Sequence, residues 1–253
     1  MAPLNASTHD LEKGSAFDSI HSVQLTPGPE HKCPEVAPSR KFGNPSPLGV
    51  IGFTVCLSAT SCILLGWARS DPSSMIAMVG PYYYIGGICL FVTGIMEWAL
   101  GNTFNFVVFM IFGGYWSGLG TLNDPSMGIA SAFAKTGGGA SPELNSALMF
   151  YNAFFAALVV VLFIGTLRAN IAFAALFFAV FIILVLFVIG YAKIVAGNLE
   201  SATKLFKAAG VFSLATSAGS YYIFLSLICA AVDMPFTLPL GDLSGFLAKR
   251  KHE

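Results

Sequence analysis

Six long apolar stretches dominate the pattern of hydrophobic and polar positions along the chain. Each contains about 20 predominantly apolar residues, the length that a helix needs to cross the hydrocarbon core of a bilayer. The breaks between them are short and polar, as in ARSDPSS, GNT and RAN, apart from one long loop after the third stretch. The pattern predicts an all-α integral membrane protein with six transmembrane helices, at about 48–68, 78–100, 103–122, 145–167, 170–192 and 208–232.

The polar ends of the chain divide it into three parts. Residues 1–43 combine five prolines with mixed charges and show no hydrophobic period, which is typical of a disordered tail. We therefore expect an N-terminal tail (1–43), a six-helix transmembrane domain (44–233) and a short C-terminal tail (234–253). Six spans put both termini on one side, and a slight excess of Lys and Arg there favours the cytoplasmic side.

Composition supports lipid as the main solvent and excludes several classes of function. Hydrophobic residues make up 55% of the chain and charged residues only 10%, against about 25% charged in an average soluble domain. The net charge of zero gives no indication of a nucleic-acid partner. The four histidines lie in the tails and no cysteines are spaced as CxxC, so we expect neither a metal site nor a cofactor. The spans carry no nucleophile–base, paired-carboxylate or phosphate-loop pattern, so an enzyme is not expected.

Uncharged polar side chains recur on one face of three predicted helices. A single Ser or Thr can satisfy its hydroxyl on its own helix, but three polar faces in one bundle favour a narrow polar path. The polar faces comprise Thr54, Ser58 and Ser61; Asn145 and Asn152; and Ser213, Thr216, Ser217 and Ser220. We take as candidate lining residues Thr54, Ser58, Asn145, Asn152 and Ser217.

Glu97 is the only ionisable side chain well inside an apolar stretch. An acid within the membrane indicates a function by default, here proton coupling. Because Glu97 lies near the end of its helix, just before GNTF, it is equally consistent with an interfacial residue that caps the start of the third helix. Both interpretations stay open.

Glycines recur every seven residues along the second predicted helix, at Gly80, Gly87, Gly94 and Gly101. The third helix carries a further pair, Gly114 and Gly118. Small residues let membrane helices approach closely. The spacing predicts a tightly packed bundle and favours an oligomer.

Four short motifs resemble those of one family, in the same order and at fitting spacings. They are NPSPLGV (44–50), GIMEWALGNTF (94–104), FGGYW (112–116) and FIGTLRAN (163–170). They are similar to the NPAPLGL, GNTF, YGGFW and FGTL segments of the acetate uptake transporter family, which includes bacterial succinate–acetate permeases and fungal acetate and ammonia transport proteins. The resemblance covers roughly residues 42–233.

The resemblance implies a urea-channel-like bundle of six helices per subunit, a pore through each subunit and a homohexamer in the plasma membrane. It also implies uptake of acetate or related short-chain carboxylates, coupled to protons or channel-like. The family's pore narrows at a Phe, a Tyr and a Leu, which match Phe53, Phe112 and Val180 here. Two of these three positions depart from the family, and Ser46 and Val50 depart from its NPAPLGL signature, so another short-chain acid is a possible substrate.

NPSPLGV also has the chemistry of a helix start. Asn44 can accept a hydrogen bond from the first free N–H groups, and Pro45 fits the first helical position. If the break lies within the membrane, its N–H groups would help an anion at the pore mouth. We expect a pore for a short carboxylate that moves with a proton. The alternatives are a pore for a neutral solute such as ammonia or urea, and a membrane sensor that transports nothing.

Overall fold

The computed structural model describes residues 42–241 and residue 243. The predicted N-terminal tail, apart from Phe42 and Gly43, lies outside this part of the chain, and so do Asp242 and residues 244–253.

Six helices in the described residues are long and apolar enough to cross a membrane, which confirms the predicted fold class. We number them in chain order: α1 Ser46–Leu65, α2 Pro72–Ala99, α3 Thr103–Asn123, α4 Pro142–Thr166, α5 Ile171–Val195 and α6 Leu199–Ala231. The last helix begins at Leu199 rather than at residue 208. The Asn198 side chain accepts from the Ser201 N–H at 3.0 Å and Lys204 pairs with Glu200 at 2.6 Å, so polar turns extend this helix beyond its apolar part.

Helix α2 changes its winding along its length. It begins with a 3₁₀ segment, Pro72–Met78, and continues through an α turn, Val79–Pro81, and a π segment, Tyr82–Ile88. An α-helical part, Cys89–Ala99, completes it. A π segment adds a residue to the turn and so redirects the side chains that follow.

The helices pack side by side in the order α3, α2, α1, α6, α5, α4. Between α3 and α4, aromatic side chains bridge the gap and close the ring. The ring centroids of Phe112 and Phe155 are 5.6 Å apart, those of Tyr115 and Phe155 are 4.7 Å apart, and the Tyr115 hydroxyl donates to Asn152 Oδ1 at 3.1 Å. The interior of the bundle is therefore lined mainly by α1, α3, α4, α5 and α6.

Part of the predicted glycine groove is used inside the chain. A Cβ at Gly87 would collide with the Ser117 hydroxyl, and one at Gly94 would lie 2.8 Å from Met110 Cγ, so both glycines let α2 approach α3. In the region described, a Cβ at Gly114 or Gly118 would meet nothing within 4 Å. The close packing that the spacing predicts is thus found between α2 and α3, and the oligomer stays a prediction.

The segment after α6 folds back onto the start of α5. The Ile171 N–H donates to the Gly241 carbonyl at 2.7 Å, and the Ala172 N–H donates to the Leu240 carbonyl at 3.1 Å. From α6, the Tyr222 hydroxyl donates to the Pro239 carbonyl at 2.8 Å. Main-chain carbonyls of this C-terminal segment therefore cap two N–H groups that a helix start leaves free.

Candidate functional site

Two cavities lie end to end inside the bundle. The wide cavity has a volume of about 830 Å³ and extends along the C-terminal half of α1, from Phe53 to Leu65. The small cavity has a volume of about 230 Å³ and extends along the N-terminal half of α1, from Ser46 to Phe53. Phe53 and Phe112 line both cavities. The two spaces therefore meet at these two rings.

The structure brings together the three residues predicted to form the constriction. Phe53 and Phe112 contact edge to face, with ring centroids 5.6 Å apart. Phe112 also packs edge to face on Phe177, at 6.0 Å. Val180 also lines the wide cavity, and both Phe112 and Val180 are buried. We call Phe53, Phe112 and Val180 the aromatic constriction.

Among the predicted polar lining residues, Asn145 lines the wide cavity. Its amide donates to the Gly139 and Ser141 carbonyls, at 2.9 and 2.8 Å, and so also fixes the loop before α4. Asn152 does not itself line either described cavity; it accepts from Tyr115, which lines the wide cavity.

The hydroxyls of α1 and α6 mostly bond carbonyls of their own helices, and one pair joins the two helices. The Thr54 and Ser220 hydroxyls are 2.5 Å apart. Ser58 donates to the Thr54 carbonyl at 2.7 Å, and Ser217 donates to the Ser213 carbonyl at 2.9 Å. Among the described residues, Thr54, Ser58 and Ser217 line neither cavity, whereas Ser220 lines the small cavity and Ser213 the wide one.

Glu97 is fully buried and joins two of the motifs. Its Oε1 accepts a short hydrogen bond from the Ser46 hydroxyl. Its Oε2 accepts from Asn102 Nδ2 at 2.7 Å, and its carbonyl accepts from the Asn102 N–H at 2.9 Å. The carboxyl group therefore connects the start of α1 to the turn between α2 and α3.

The first turn of α1 begins one residue later than the predicted cap requires. Ser46 is the first helical residue and Pro45 takes the N-cap position. Asn44 is exposed and accepts from the Ser46 N–H at 3.0 Å. A Cβ at Gly49 would lie 2.9 Å from Thr93 and would collide with Phe109, so this glycine lets α1 approach α2 and α3. Asn44 is outside the lining of both described cavities.

Charge is confined to the mouth of the wide cavity, where Asp71 and Lys207 are the charged lining residues. Both are exposed. The Ser73 hydroxyl donates to Asp71 at 2.5 Å, and this hydrogen bond and that of the Ser73 N–H hold the pKa of Asp71 below its usual range. Among the described residues, the lining of the small cavity is mostly apolar, and its polar members are uncharged: Ser46, Asn105, Thr166, Asn170 and Ser220.

The sequence did not predict the contacts that Ser46, Trp116 and Phe177 make at this site. Ser46 departs from the family signature, but its 51-residue separation from Glu97 gives no signal of contact. Trp116 belongs to FGGYW and lies one helical turn after Phe112, a spacing that could have placed it beside the constriction. Phe177 falls in a continuous apolar run, where nothing distinguishes a lining residue from a lipid-facing one.

The fold and the two cavities define a class: a membrane protein whose six helices surround two cavities that meet at a pair of aromatic rings. The chain belongs to the GPR1/FUN34/yaaH family, whose model matches residues 24–245. This confirms the resemblance that the four motifs indicate.

Relatives with informative names come from fungi. Protein alcS of Aspergillus fumigatus is 30% identical over 217 residues, covering 84% of this chain and 79% of the relative. Acetate permease A of Emericella nidulans is 30% identical over 206 residues, covering 80% of this chain and 67% of the relative. Acetate transporter protein patA of Aspergillus clavatus is 25% identical over 243 residues, covering 96% of this chain and 94% of the relative.

A solved structure shares the fold. The bacterial acetate channel SatP superposes with a TM-score of 0.64 at 24% identity, covering 79% of this chain and all of the SatP chain. The six-helix architecture is thus that of a known channel.

Proposed function

We propose that this protein moves acetate or a related short-chain carboxylate across a membrane, through a pore within one chain. The observation that carries the proposal is the meeting of two cavities at Phe53 and Phe112, which line both. The names of acetate permease A and of the SatP channel support acetate as the substrate. Transport, and not catalysis, is the activity that we assign.

The chemistry of the constriction favours passage of a neutral acid. A carboxylic acid with a pKa near 4 is roughly a thousandfold more ionised than neutral at pH 7. Phe53, Phe112 and Val180 offer an anion no charge and no hydrogen-bond donor, so a carboxylate would lose hydration there without replacement. Proton and carboxylate therefore cross the rings together, and uptake is faster in acid.

We assign to Glu97 the role of a brace rather than of a proton carrier. Both of its oxygens are occupied, by Ser46 and Asn102, and among the described residues it lines neither cavity. The brace holds the start of α1 in place beside the small cavity, which Ser46 lines. Asn44 then contributes by accepting from the Ser46 N–H, two residues before the helix reaches the cavity lining at Ser46.

The setting of the pore follows from the same family. We propose that the protein lies in the plasma membrane as a homohexamer, with both termini and the small cavity on the cytoplasmic side. Exposed apolar side chains such as Phe154 and Val161 on α4 are suited to contact with lipid or with neighbouring subunits. Residues 1–43 and 234–253 are assigned as polar tails of the six-helix domain.

Uptake of labelled acetate into vesicles that contain the purified protein tests the proposal. We expect uptake above that of empty vesicles, faster at pH 5 than at pH 7. Val180→Phe fills the constriction and is expected to reduce uptake to the level of empty vesicles. Val161→Phe makes the same chemical change at a side chain that is 66% exposed on α4, and is expected to leave uptake unchanged.

Uptake at the level of empty vesicles for a panel of short acids, at pH 5, would overturn the proposal. Flux of ammonia or urea without a proton gradient, and without competition by carboxylates, would instead show a pore for neutral solutes. If no solute moves while deletion of the N-terminal tail changes signalling in cells, the protein is a sensor.

A further inference from the structure

The indole of Trp116 carries a buried donor without a partner. Trp116 is only 3% exposed. Among the described residues, its Nε1 is the one buried side-chain nitrogen or oxygen that has no hydrogen-bond partner. Nearly all buried donors in folded proteins are satisfied, because an unpaired buried N–H is destabilising. The unpaired N–H of Trp116 is therefore available to a solute that carries a hydrogen-bond acceptor.

Three neighbours hold the indole in place. Tyr82 stacks on it with ring centroids 5.5 Å apart and an interplanar angle of 22°. Phe53 packs against it at 6.0 Å. A Cβ at Gly86 would lie 2.7 Å from Trp116 Cβ, so only glycine fits there. Both Tyr82 and Gly86 belong to the π segment of α2, which therefore forms part of the surface that the indole packs against.

The indole lies beside the path, at the aromatic constriction. Trp116 lines the wide cavity together with Phe53 and Phe112. Its Nε1 is itself covered by neighbouring side chains, so a solute reaches this N–H when a neighbouring ring moves aside. It follows Phe112 by one turn of α3, so the two side chains are neighbours on one helix face. The indole therefore borders the last part of the wide cavity before the rings.

The tyrosine hydroxyls around the indole are already engaged. The Tyr82 hydroxyl is 2.8 Å from that of Thr60. The Tyr115 hydroxyl, whose ring contacts the indole at 6.3 Å, donates to Asn152 at 3.1 Å. Phe112 has no hydroxyl where the resembling family has Tyr. The Trp116 N–H is thus an unpaired donor on the residue that follows Phe112 by one turn of α3.

We propose that the Trp116 N–H donates a hydrogen bond to a carboxyl oxygen of the substrate, on the wide-cavity side of the constriction. This proposal rests on the proposed function. It makes Trp116 a residue that selects for solutes with a strong acceptor, and it lets this chain recognise a carboxyl group without the tyrosine hydroxyl. A carboxylate accepts more strongly than a neutral group, so the site collects the acid before it is protonated and passes the rings.

Replacement of the N–H alone tests the hydrogen bond. In reconstituted vesicles, Trp116→Phe is expected to raise the KM for acetate about tenfold and to change the maximal rate by no more than about twofold. Benzothienylalanine at position 116 keeps the shape of the indole and replaces its N–H by sulfur, and is expected to raise KM to the same extent. Trp98→Phe, at a side chain that is 66% exposed, serves as the matched control and should leave KM unchanged.

A fluorescence measurement keeps the test independent of transport. The chain has three tryptophans, so the double variant W67F/W98F leaves Trp116 as the sole indole. Saturating acetate is expected to shift its emission, and an equal concentration of chloride is not. Adding Phe112→Tyr to Trp116→Phe returns a donor to the constriction and is expected to recover part of the lost affinity.

An unchanged KM in the benzothienylalanine protein would overturn the proposal. So would an emission spectrum that acetate does not alter in a W67F/W98F protein that still takes up acetate. Failure of the wild-type protein to take up any acid would instead overturn the proposed function, so the two failures are distinguishable.

Discussion

The two cavities on either side of Phe53 and Phe112 differ in size and in chemistry. The wide cavity holds about 830 Å³ and has charged residues, Asp71 and Lys207, at its mouth. The small cavity holds about 230 Å³, and the described residues that line it are mostly apolar and all uncharged. The wide side can admit a hydrated ion, whereas the small side suits a solute that has lost most of its water.

This difference assigns separate tasks to the two sides. A hydrated carboxylate can enter the wide cavity and reach the indole of Trp116 before it meets the rings. Beyond the rings, the hydroxyls and amides of the small cavity can accept and donate hydrogen bonds to a neutral acid. A solute that enters from the wide side is therefore selected first for a hydrogen-bond acceptor, at Trp116, and then for size, at the rings.

Opening the constriction should produce the largest change, because it would merge the two cavities. Phe53→Ala removes a ring that lines both. We expect uptake of a four-carbon acid, relative to acetate, to rise about tenfold. Competition between labelled acetate and a panel of short acids measures this ratio. The control is Phe154→Ala, at a side chain that is 77% exposed on α4; an equal ratio in both variants would argue against the constriction.

Removing the brace should disturb the small cavity and spare the wide one. Glu97→Ala leaves the Ser46 hydroxyl and the Asn102 amide without their acceptor, which should cost about 1–3 kcal/mol and lower the melting temperature by several degrees. Glu97→Gln keeps one acceptor oxygen and should fall between wild type and Glu97→Ala.

The pH dependence of uptake separates a brace from a proton carrier. If Glu97 acts as a brace, the Glu97→Gln variant should keep the wild-type ratio of uptake at pH 5 to uptake at pH 7. Loss of that ratio in a stably folded Glu97→Gln protein would show that the acid carries protons. Glu200→Gln, at an exposed residue of α6, is the matched control.

Adding a hydroxyl at the rings should sharpen selection for the carboxyl group. Phe112→Tyr supplies a second donor beside Trp116 and is expected to lower the KM for acetate about threefold. Initial rates over a range of acetate concentrations measure the change. An increase in KM would mean that the hydroxyl blocks the path instead of serving it.

The smallest effect is expected at the mouth of the wide cavity. The pKa of Asp71 is lowered by its hydrogen bonds to Ser73, so its charge is lost only below the usual titration range of an aspartate. Asp71 therefore stays ionised from pH 7 to pH 5. Asp71→Asn should change the ratio of uptake at these two pH values by less than about twofold, since exposed charges are screened by salt. A larger change would place part of the pH dependence at this mouth.

Periodicity and motifs predicted the fold because both signals are local. Apolar length alone gives six helices, and the heptad of glycines predicts close packing that Gly87 and Gly94 provide between α2 and α3. Apolar length did not predict the start of α6, because the first two turns of this helix, from Leu199, are polar and have the hydropathy of a loop.

The site was predictable only where a motif pointed to it. Phe53, Phe112 and Val180 follow from the resemblance, and they lie together at the wide cavity. The polar faces were harder to interpret, because hydropathy cannot distinguish a hydroxyl in a helix seam, such as that of Thr54, from one in a pore. The Ser46–Glu97 contact depends on the tertiary fold, and no periodic signal reports it.

The C-terminal segment holds the start of α5 through carbonyl oxygens of Leu240 and Gly241, and these belong to the main chain. Any residue can supply such an oxygen, so a substitution at Leu240 is easily tolerated. Gly241 differs, because its φ of 71° favours glycine and a Cβ there would lie 3.0 Å from Ile171. The length of the segment is constrained, because a residue gained or lost after Ala231 would move the carbonyls out of register with Ile171 and Ala172. Deletions and insertions, together with substitutions of Gly241, are therefore the variations that selection should remove here.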